Sequence, residues 1–600
     1  MNRPLARLLK IVLLIAALGL VLPASGALGA KPVQTTKQPT AIGTGGAVAT
    51  VDLDASQVGM QVLKEGGNAV DAAVAAAAAL GVTEPYSCGI GGGGFMVIYD
   101  AETESVSTID SRETAPAAFQ PNSFIDPETE QPVPFDQRVT SGLGIGVPGT
   151  IRGWEQALGE FGSRPLSELL QPSIRLADRG FTVDGTYRQQ TLDNLARFND
   201  FTSTRETFLR NGQAPAVGSR FRNPDLAATY GRIAAGNSAF YSGTTARAIV
   251  DTVRNPPVVA GSTRNVRPGL MKTKDLADYR SIERAPAVNS YRGLQVYGMG
   301  PPSSGGSTVG EALNILEGYR MSDPTLPRDD ALHYYLEASR YSFADRGEYL
   351  GDPAYVDVPL EGLLSDEFAA DRRLLIKDRA TLSPVAPGDP CPYDNSGVCP
   401  VDTETSTAVE GLSTTHLTVS DKWGNVVSYT ITIEQTGGSA ITVPGHGFIL
   451  NNELTDFEPV PGLANSPDGG KRPRSSISPT IVTSQGGDPI VALGSPGGST
   501  IITSVLQILV NDLDFGMTLP QAIKAPRASQ RNTTTTSAEP DFFNSPEAAL
   551  LTSQHGHSFT STPEIGAATG ITFLPDGTVQ AAAEPTRRGG GSALVENPVP

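Results

Sequence analysis

The chain has 600 residues and a formal net charge of −18, with 63 Asp and Glu against 45 Lys and Arg. So acidic a surface argues against nucleic acid and anionic membranes as partners, while the length allows a large core and suggests several domains. Three cysteines and five histidines form neither a disulfide scaffold nor a ligand spacing, so no metal and no cofactor is expected.

Arg3, Arg7 and Lys10 precede an apolar run at 11–22 and small residues at 24–30. That order is a secretory signal peptide covering 1–30, its apolar stretch too short to span a bilayer comfortably. The expectation is a secreted protein, extracellular or in the periplasm or cell envelope, with no stable membrane span. The alanine-dense run at 70–80 predicts a buried helix, because small side chains allow close packing. Gly89-Ile90-Gly91-Gly92-Gly93-Gly94-Phe95 leads into a short strand at 96–99. A dinucleotide fingerprint has the opposite order, loop after strand, so the glycines predict close backbone packing or a tight turn. Cys88 reads as a small buried residue.

Arg112 could grip a carboxylate with two parallel hydrogen bonds, although a surface arginine paired with a neighbouring acid would look the same. Helical periodicity recurs at 166–179, 226–235 and 331–346. Between 378 and 413 it is lost, and Pro, Asp, Glu, Ser and Thr predict an exposed linker. Within that linker Cys391 and Cys399 could close a small disulfide loop.

Strands dominate after the linker. Thr415, Leu417 and Val419 alternate with Thr414, His416, Thr418 and Ser420. A turn at 421–425 returns the chain through 426–433, with Tyr429, Ile431 and Ile433 on one face and Ser428, Thr430, Thr432 and Glu434 on the other. The hydroxyl-rich face could meet solvent or line a polar pocket. A threonine hydroxyl is a poor nucleophile without a base, and a chain break immediately before Thr414 would supply one, an α-amine of pKa about 8. Further on, Ser475 and Ser476 offer adjacent donors to an anion. Gly494-Ser495-Pro496-Gly497-Gly498 joins a strand at 490–493 to a helix at 500–510, which leaves backbone N–H groups able to face developing negative charge.

Taken together, these segments resemble the γ-glutamyltransferase family of the N-terminal-nucleophile hydrolases. The resemblance runs over 47–585 and is carried by Gly66-Gly67-Asn68-Ala69-Val70-Asp71-Ala72-Ala73, the glycines of 89–95, Arg112-Glu113, Thr414-Thr415-His416, Asn451-Asn452-Glu453 with Asp456-Phe457, the segment 472–480 and the glycines of 494–498. It implies an α+β fold, a four-layer αββα sandwich of two stacked, mostly antiparallel sheets between helical layers. It also implies self-cleavage at Ser413–Thr414, giving a large-subunit region at 31–377, a linker at 378–413 and a small-subunit catalytic region at 414–600.

By position, Thr414 would be the nucleophile in both self-cleavage and catalysis, Thr432 would orient it, and the Gly497 and Gly498 amides would hold the oxyanion. Arg112, Ser475 and Ser476 would bind the α-carboxylate of a γ-glutamyl donor, with Arg112 touching only substrate. Glu434, Glu453 and Asp456 would bind its α-ammonium. The implied donor is glutathione or a related γ-glutamyl amide, and the acceptor is water or an amino-acid or peptide amine.

The chain departs from part of the family in carrying glutamate at both 434 and 453. The segment between Asp456 and Lys471 is short and offers no aromatic lid, so an open site is expected. Two other readings are a poly-γ-glutamate-processing enzyme or acylase of the same superfamily, and a secreted binding protein that never matures. The last predicts loss of the nucleophile or the oxyanion glycines, and both are present.

Overall fold

A computed structural model describes residues 36–236, 238–381, 384–395, 397 and 413–599. The expected signal peptide and Cys399 lie outside the described residues. Among those described, thirteen strands share one sheet: β1 (Thr40–Thr50), β2 (Gly93–Asp100), β3 (Ser105–Asp110), β4 (Ile282–Arg284), β5 (Ala287–Tyr291), β6 (Leu294–Gly298), β7 (Thr415–Ser420), β8 (Val426–Thr432), β9 (Thr480–Thr483), β10 (Pro489–Gly494), β11 (Thr569–Phe573), β12 (Val579–Ala583) and β13 (Ser592–Pro598). Their order is β4-β3-β2-β8-β7-β1-β12-β11-β10-β9-β6-β5, with β13 also on β1. Every pairing is antiparallel.

The path folds back so that its two halves stack, which is the double-sheet core expected. Ser428 Oγ on β8 donates to Leu493 O on β10 at 3.0 Å, and Thr480 N on β9 donates to Ser428 Oγ at 3.1 Å. Thr418 Oγ1 on β7 reaches Thr569 O on β11 at 3.4 Å. The hydroxyl face of the β7–β8 hairpin therefore faces the second half rather than solvent, and these hydrogen bonds satisfy the buried hydroxyls of Ser428 and Thr418. Its end, at Thr414, Thr432 and Glu434, reaches a cavity.

Helices cover both outer faces. α1 (Leu53–Lys64) and α2 (Ala69–Thr83) lie on the β1, β7 and β8 side, and α3 (Gly305–Glu317), α4 (Arg328–Tyr349) and α5 (Thr500–Leu513) on the other. Every residue of α2 is buried, as expected for a helix apolar all round. Its start explains the Gly66–Ala73 motif. Asn68 and Asp71 form a reciprocal capping box, and Asp71 also accepts from the Ser163 and Arg164 amides at 3.0 and 3.1 Å. The Ala69 amide donates to Asp421 Oδ2 at 2.9 Å, which fixes α2 on the hairpin turn. The periodic stretch 166–179 is two helices, Leu166–Leu169 and Gln171–Arg179, because Pro172 starts a new helix rather than continuing one.

Residues 384–395 are not loose, as the composition predicts, but fastened to the body. Val385 N donates to Asn532 Oδ1 at 2.7 Å, Gly388 N to Asp345 Oδ1 at 2.5 Å, and Arg372 Nη2 to Ala386 O at 3.1 Å. Cys391 is disulfide-bonded. Cys88 is free and buried; burial first and the Glu84 carboxylate second push its thiol well up, so it is no nucleophile. No helix among the described residues is long and apolar enough to cross a membrane.

Candidate active site

The β-ladder brings the two threonines together. Thr415 pairs with Ile431, and Thr432, the last residue of β8, pairs with Gly93 of β2. Thr414, one residue before β7, thus sits beside the end of β8, its Oγ1 3.2 Å from Thr432 Oγ1. Thr414 Oγ1 also contacts the carbonyl oxygen of Ser413, and Thr432 Oγ1 donates to the same oxygen at 3.2 Å. The Glu434 amide donates to Thr432 Oγ1 at 2.8 Å, which occupies that oxygen as an acceptor and turns its proton toward Ser413. The glycines allow this approach: a Cβ on Gly92 would stand 1.9 Å from Thr432 O, and one on Gly91 2.0 Å from Ile449 O.

Ser413 is buried against Ser87, whose Oγ is 3.2 Å from Ser413 Oγ. Arg588 reaches in from the C-terminal segment with its backbone at φ +53°, donating from Nη1 to Thr414 O at 2.6 Å while Nη2 contacts Ser87 Oγ. Nothing in the sequence marked Ser87 or Arg588 as part of this corner. His416 is not a base for it. Its ring lies between Thr430 Oγ1 and Thr418 Oγ1, at 2.7 and 3.1 Å, and burial holds its pKa at about 3.

Gly497 and Gly498 form the turn between β10 and α5, at φ +136° and +57°. Such values favour glycine. Their carbonyls accept from Thr500 N and Ile501 N, and among the described residues neither of their own amides has a protein acceptor. Gly498 lines the same cavity as Thr414, and Gly497 lines a larger neighbouring cleft of about 640 Å³ together with Arg588 and Arg531.

The remaining predicted residues converge on that first cavity. Arg112, Glu434, Glu453, Asp456, Ser475 and Ser476 line it with Ser413, Thr414 and Thr432. Its volume is about 20 Å³, room for about one water. The expected open site is therefore absent while Ser413 precedes Thr414 in the chain, because Ser413 itself is part of the wall.

The expectation that Arg112 touches only substrate is also corrected. At 1% exposure its guanidinium contacts Glu453, pairs with Asp456 at 2.6 Å, and donates to Pro473 O and Arg474 O at 3.2 and 2.9 Å. The positive and negative ends of the expected clamp thus hold each other, since an unpaired charge is costly at such burial. Ser476 Oγ accepts from Arg346 Nη2 of α4 at 2.8 Å, and Ser475 Oγ from the Ile477 amide at 3.2 Å. Asn452 Nδ2 contacts Glu434 Oε2. Glu113 is fully buried; burial, and then the Glu453 carboxylate, push its carboxyl far up.

Residues 55–594 match the model of the family described as Gamma-glutamyltranspeptidase. The chain is 43% identical over 489 residues to the glutathione hydrolase proenzyme of Bacillus subtilis (strain 168), with 81% of each chain covered. It is 37% identical over 563 residues to the glutathione hydrolase proenzyme of Escherichia coli (strain K12), with 90% of each covered. Among solved structures, the cephalosporin acylase from Bacillus halodurans superposes with a TM-score of 0.80 at 28% identity, over 94% of this chain and 97% of that one.

Proposed function

The chain belongs to the gamma-glutamyltranspeptidase family, and from that premise we propose how its residues carry out the family's chemistry. It is a γ-glutamyl hydrolase and transpeptidase with the N-terminal-nucleophile hydrolase fold, processed from a proenzyme.

In self-cleavage, Thr414 Oγ1 attacks the Ser413 carbonyl carbon and passes its proton to the departing Thr414 nitrogen. The acyl group moves from nitrogen to oxygen, and water hydrolyses the resulting ester, leaving a Ser413 carboxylate and a free Thr414 amine. The observation that carries this reading is the placement of both threonine hydroxyls on the Ser413 carbonyl oxygen, which polarises the bond to be broken. Freed from the peptide, the amine becomes the base that the hydroxyl lacked.

In turnover, Thr414 Oγ1 attacks the γ-glutamyl amide, and the Gly497 and Gly498 amides hold the oxyanion. The leaving amine departs with a proton, and water or an acceptor amine takes the acyl group. Arg112, Ser475 and Ser476 take the donor's α-carboxylate, while Glu434, Glu453 and Asp456 take its α-ammonium. Departure of Ser413 from the cavity wall makes the room, and the zwitterionic donor divides the charges that pair in the uncut chain. Arg112 and the carboxylates around it favour a donor with an amino-acid end over the side chains of acylase substrates. Glutathione is the donor we assign, and the protein is secreted as two subunits from one precursor.

Incubation of the purified protein with glutathione tests this: release of glutamate in water, and of a γ-glutamyl dipeptide when an amino acid is added, is expected. Cleavage of an N-acyl substrate lacking the α-carboxylate, with none of glutathione, would overturn the substrate assignment.

A further inference from the structure

Three of the five histidines, His333, His555 and His557, gather in one cluster away from the cavity around Thr414. The His333 and His555 rings stack with centroids 4.4 Å apart, and His557 stands edge-on to His333 at 5.1 Å. Their hydrogen bonds fix the proton positions. His333 Nε2 is 2.6 Å from Lys377 O, a pure acceptor, so that nitrogen carries hydrogen. His333 Nδ1, 2.9 Å from His557 Nε2, then accepts from it.

His555 Nδ1 is 2.7 Å from Asp378 O and must likewise be the N–H. In the neutral ring its Nε2 is left as a bare lone pair, buried and without a hydrogen-bond partner. That lone pair points at two carboxylates, Asp330 Oδ1 at 3.1 Å and Asp329 Oδ2 at 3.7 Å, both in the first turn of α4. The side chains of His555 and Asp329 are 9% and 8% exposed and that of Asp330 is 32% exposed. No Lys or Arg among the described residues pairs with either aspartate; the adjacent Arg328 lies over the Phe515 ring and donates to Asn511. Three electron-pair donors thus face one another within 4.8 Å with nothing positive between them.

We propose that Asp329, Asp330 and His555 bind a divalent first-row transition ion, zinc by preference. With metal–ligand bonds of about 2.1 Å, neighbouring ligands stand about 3.0 Å apart in an octahedron and about 3.4 Å in a tetrahedron, close to the two separations observed. One imidazole with two carboxylates is a donor set that suits zinc, with water completing the shell. The Nδ1–H bond to a backbone carbonyl is the outer contact that ordinarily orients a metal-bound histidine. The aspartates precede residue 414 and the histidine follows it. If the chain is cut before Thr414, as proposed above, the ion joins the two products; the site itself does not depend on that cut.

The test uses the purified exported protein, loaded with Zn²⁺, passed through metal-free buffer and assayed for metal by mass spectrometry. Wild type should retain about one zinc per chain, and Asp330→Asn and His555→Gln should retain almost none. Chelation with EDTA should lower the wild-type thermal midpoint by several degrees and leave both variants, already lower, unmoved. Glutathione hydrolysis at 25 °C should be the same in all three. Should His555→Gln fail to fold, Asp330→Asn, isosteric and at a partly exposed position, carries the comparison. No retained zinc and a midpoint indifferent to EDTA would overturn the proposal in favour of an imidazolium–aspartate pair. Equal zinc in wild type and variants would overturn it too, since the ion would lie elsewhere.

Discussion

The two sides of the cavity around Thr414 are built on opposite principles. On the nucleophile side, Thr414, Thr432 and the Ser413 carbonyl are neutral groups set by β-sheet register and joined by hydrogen bonds of 3.2 Å. On the donor-binding side, Arg112, Glu453 and Asp456 are charges brought together from distant parts of the chain, and the guanidinium is paired with both carboxylates. Neutral hydroxyls can wait in a buried corner at little cost, whereas buried charges must be paired before substrate arrives. In the proposed chemistry the nucleophile side changes by breaking a covalent bond, and the donor side by exchanging ion pairs.

Variants on either side separate these principles. Thr414→Ala should give the largest effect: one uncut chain on a denaturing gel and glutathione hydrolysis reduced about 10⁴-fold or more. Arg112→Ala comes next, and it should harm more than donor binding. It strands Glu453 and Asp456 without their cation, so unfolding by denaturant should show a loss of about 3–5 kcal/mol, alongside a much higher KM in whatever protein matures. A raised KM with unchanged stability would mean that the ion pairs do not hold the donor side together.

Thr432→Val keeps the shape of the corner and removes one hydroxyl. Maturation followed on a gel and kcat should both slow by about 10²-fold, with KM nearly unchanged because no charge is touched. The smallest effect is in pH. Burial holds His416 at about 3, below its ordinary 6.5, so the folded chain binds fewer protons than the unfolded one between those values. Its contribution to stability is fully present above 6.5 and is lost as pH falls through that window. The thermal midpoint should therefore drop more steeply between pH 7 and pH 5 in wild type than in His416→Gln.

Much of the nucleophile side was legible in the sequence because it is local. Thr414 and Thr432 belong to one hairpin whose period-two pattern predicts both strands, and the turn at 421–425 sets the register between them. The glycines of 89–95 announce close backbone approach without saying to what; the answer, Thr432 O and Ile449 O, lies far along the chain. The residue types of the donor side were legible through the family resemblance, but their mutual pairing was not. A sequence does not show that Arg112 will be so deeply buried that it must find partners of its own. Arg588 on Thr414 O and Arg346 on Ser476 escaped notice for the same reason, since each comes from a distant element with no motif around it. The His555 cluster was missed because its carboxylates come from α4, far away in the chain, so no ligand spacing exists to be read.

The proposed chemistry begins at the Ser413–Thr414 peptide bond, which the chain is expected to break in itself. Intact mass measurement with N-terminal sequencing of the purified exported protein tests it directly. Two polypeptides, the smaller beginning Thr-Thr-His-Leu, are the predicted result. A single unbroken chain that nevertheless hydrolyses glutathione would contradict it, because Thr414 would then act without the amine assigned as its base.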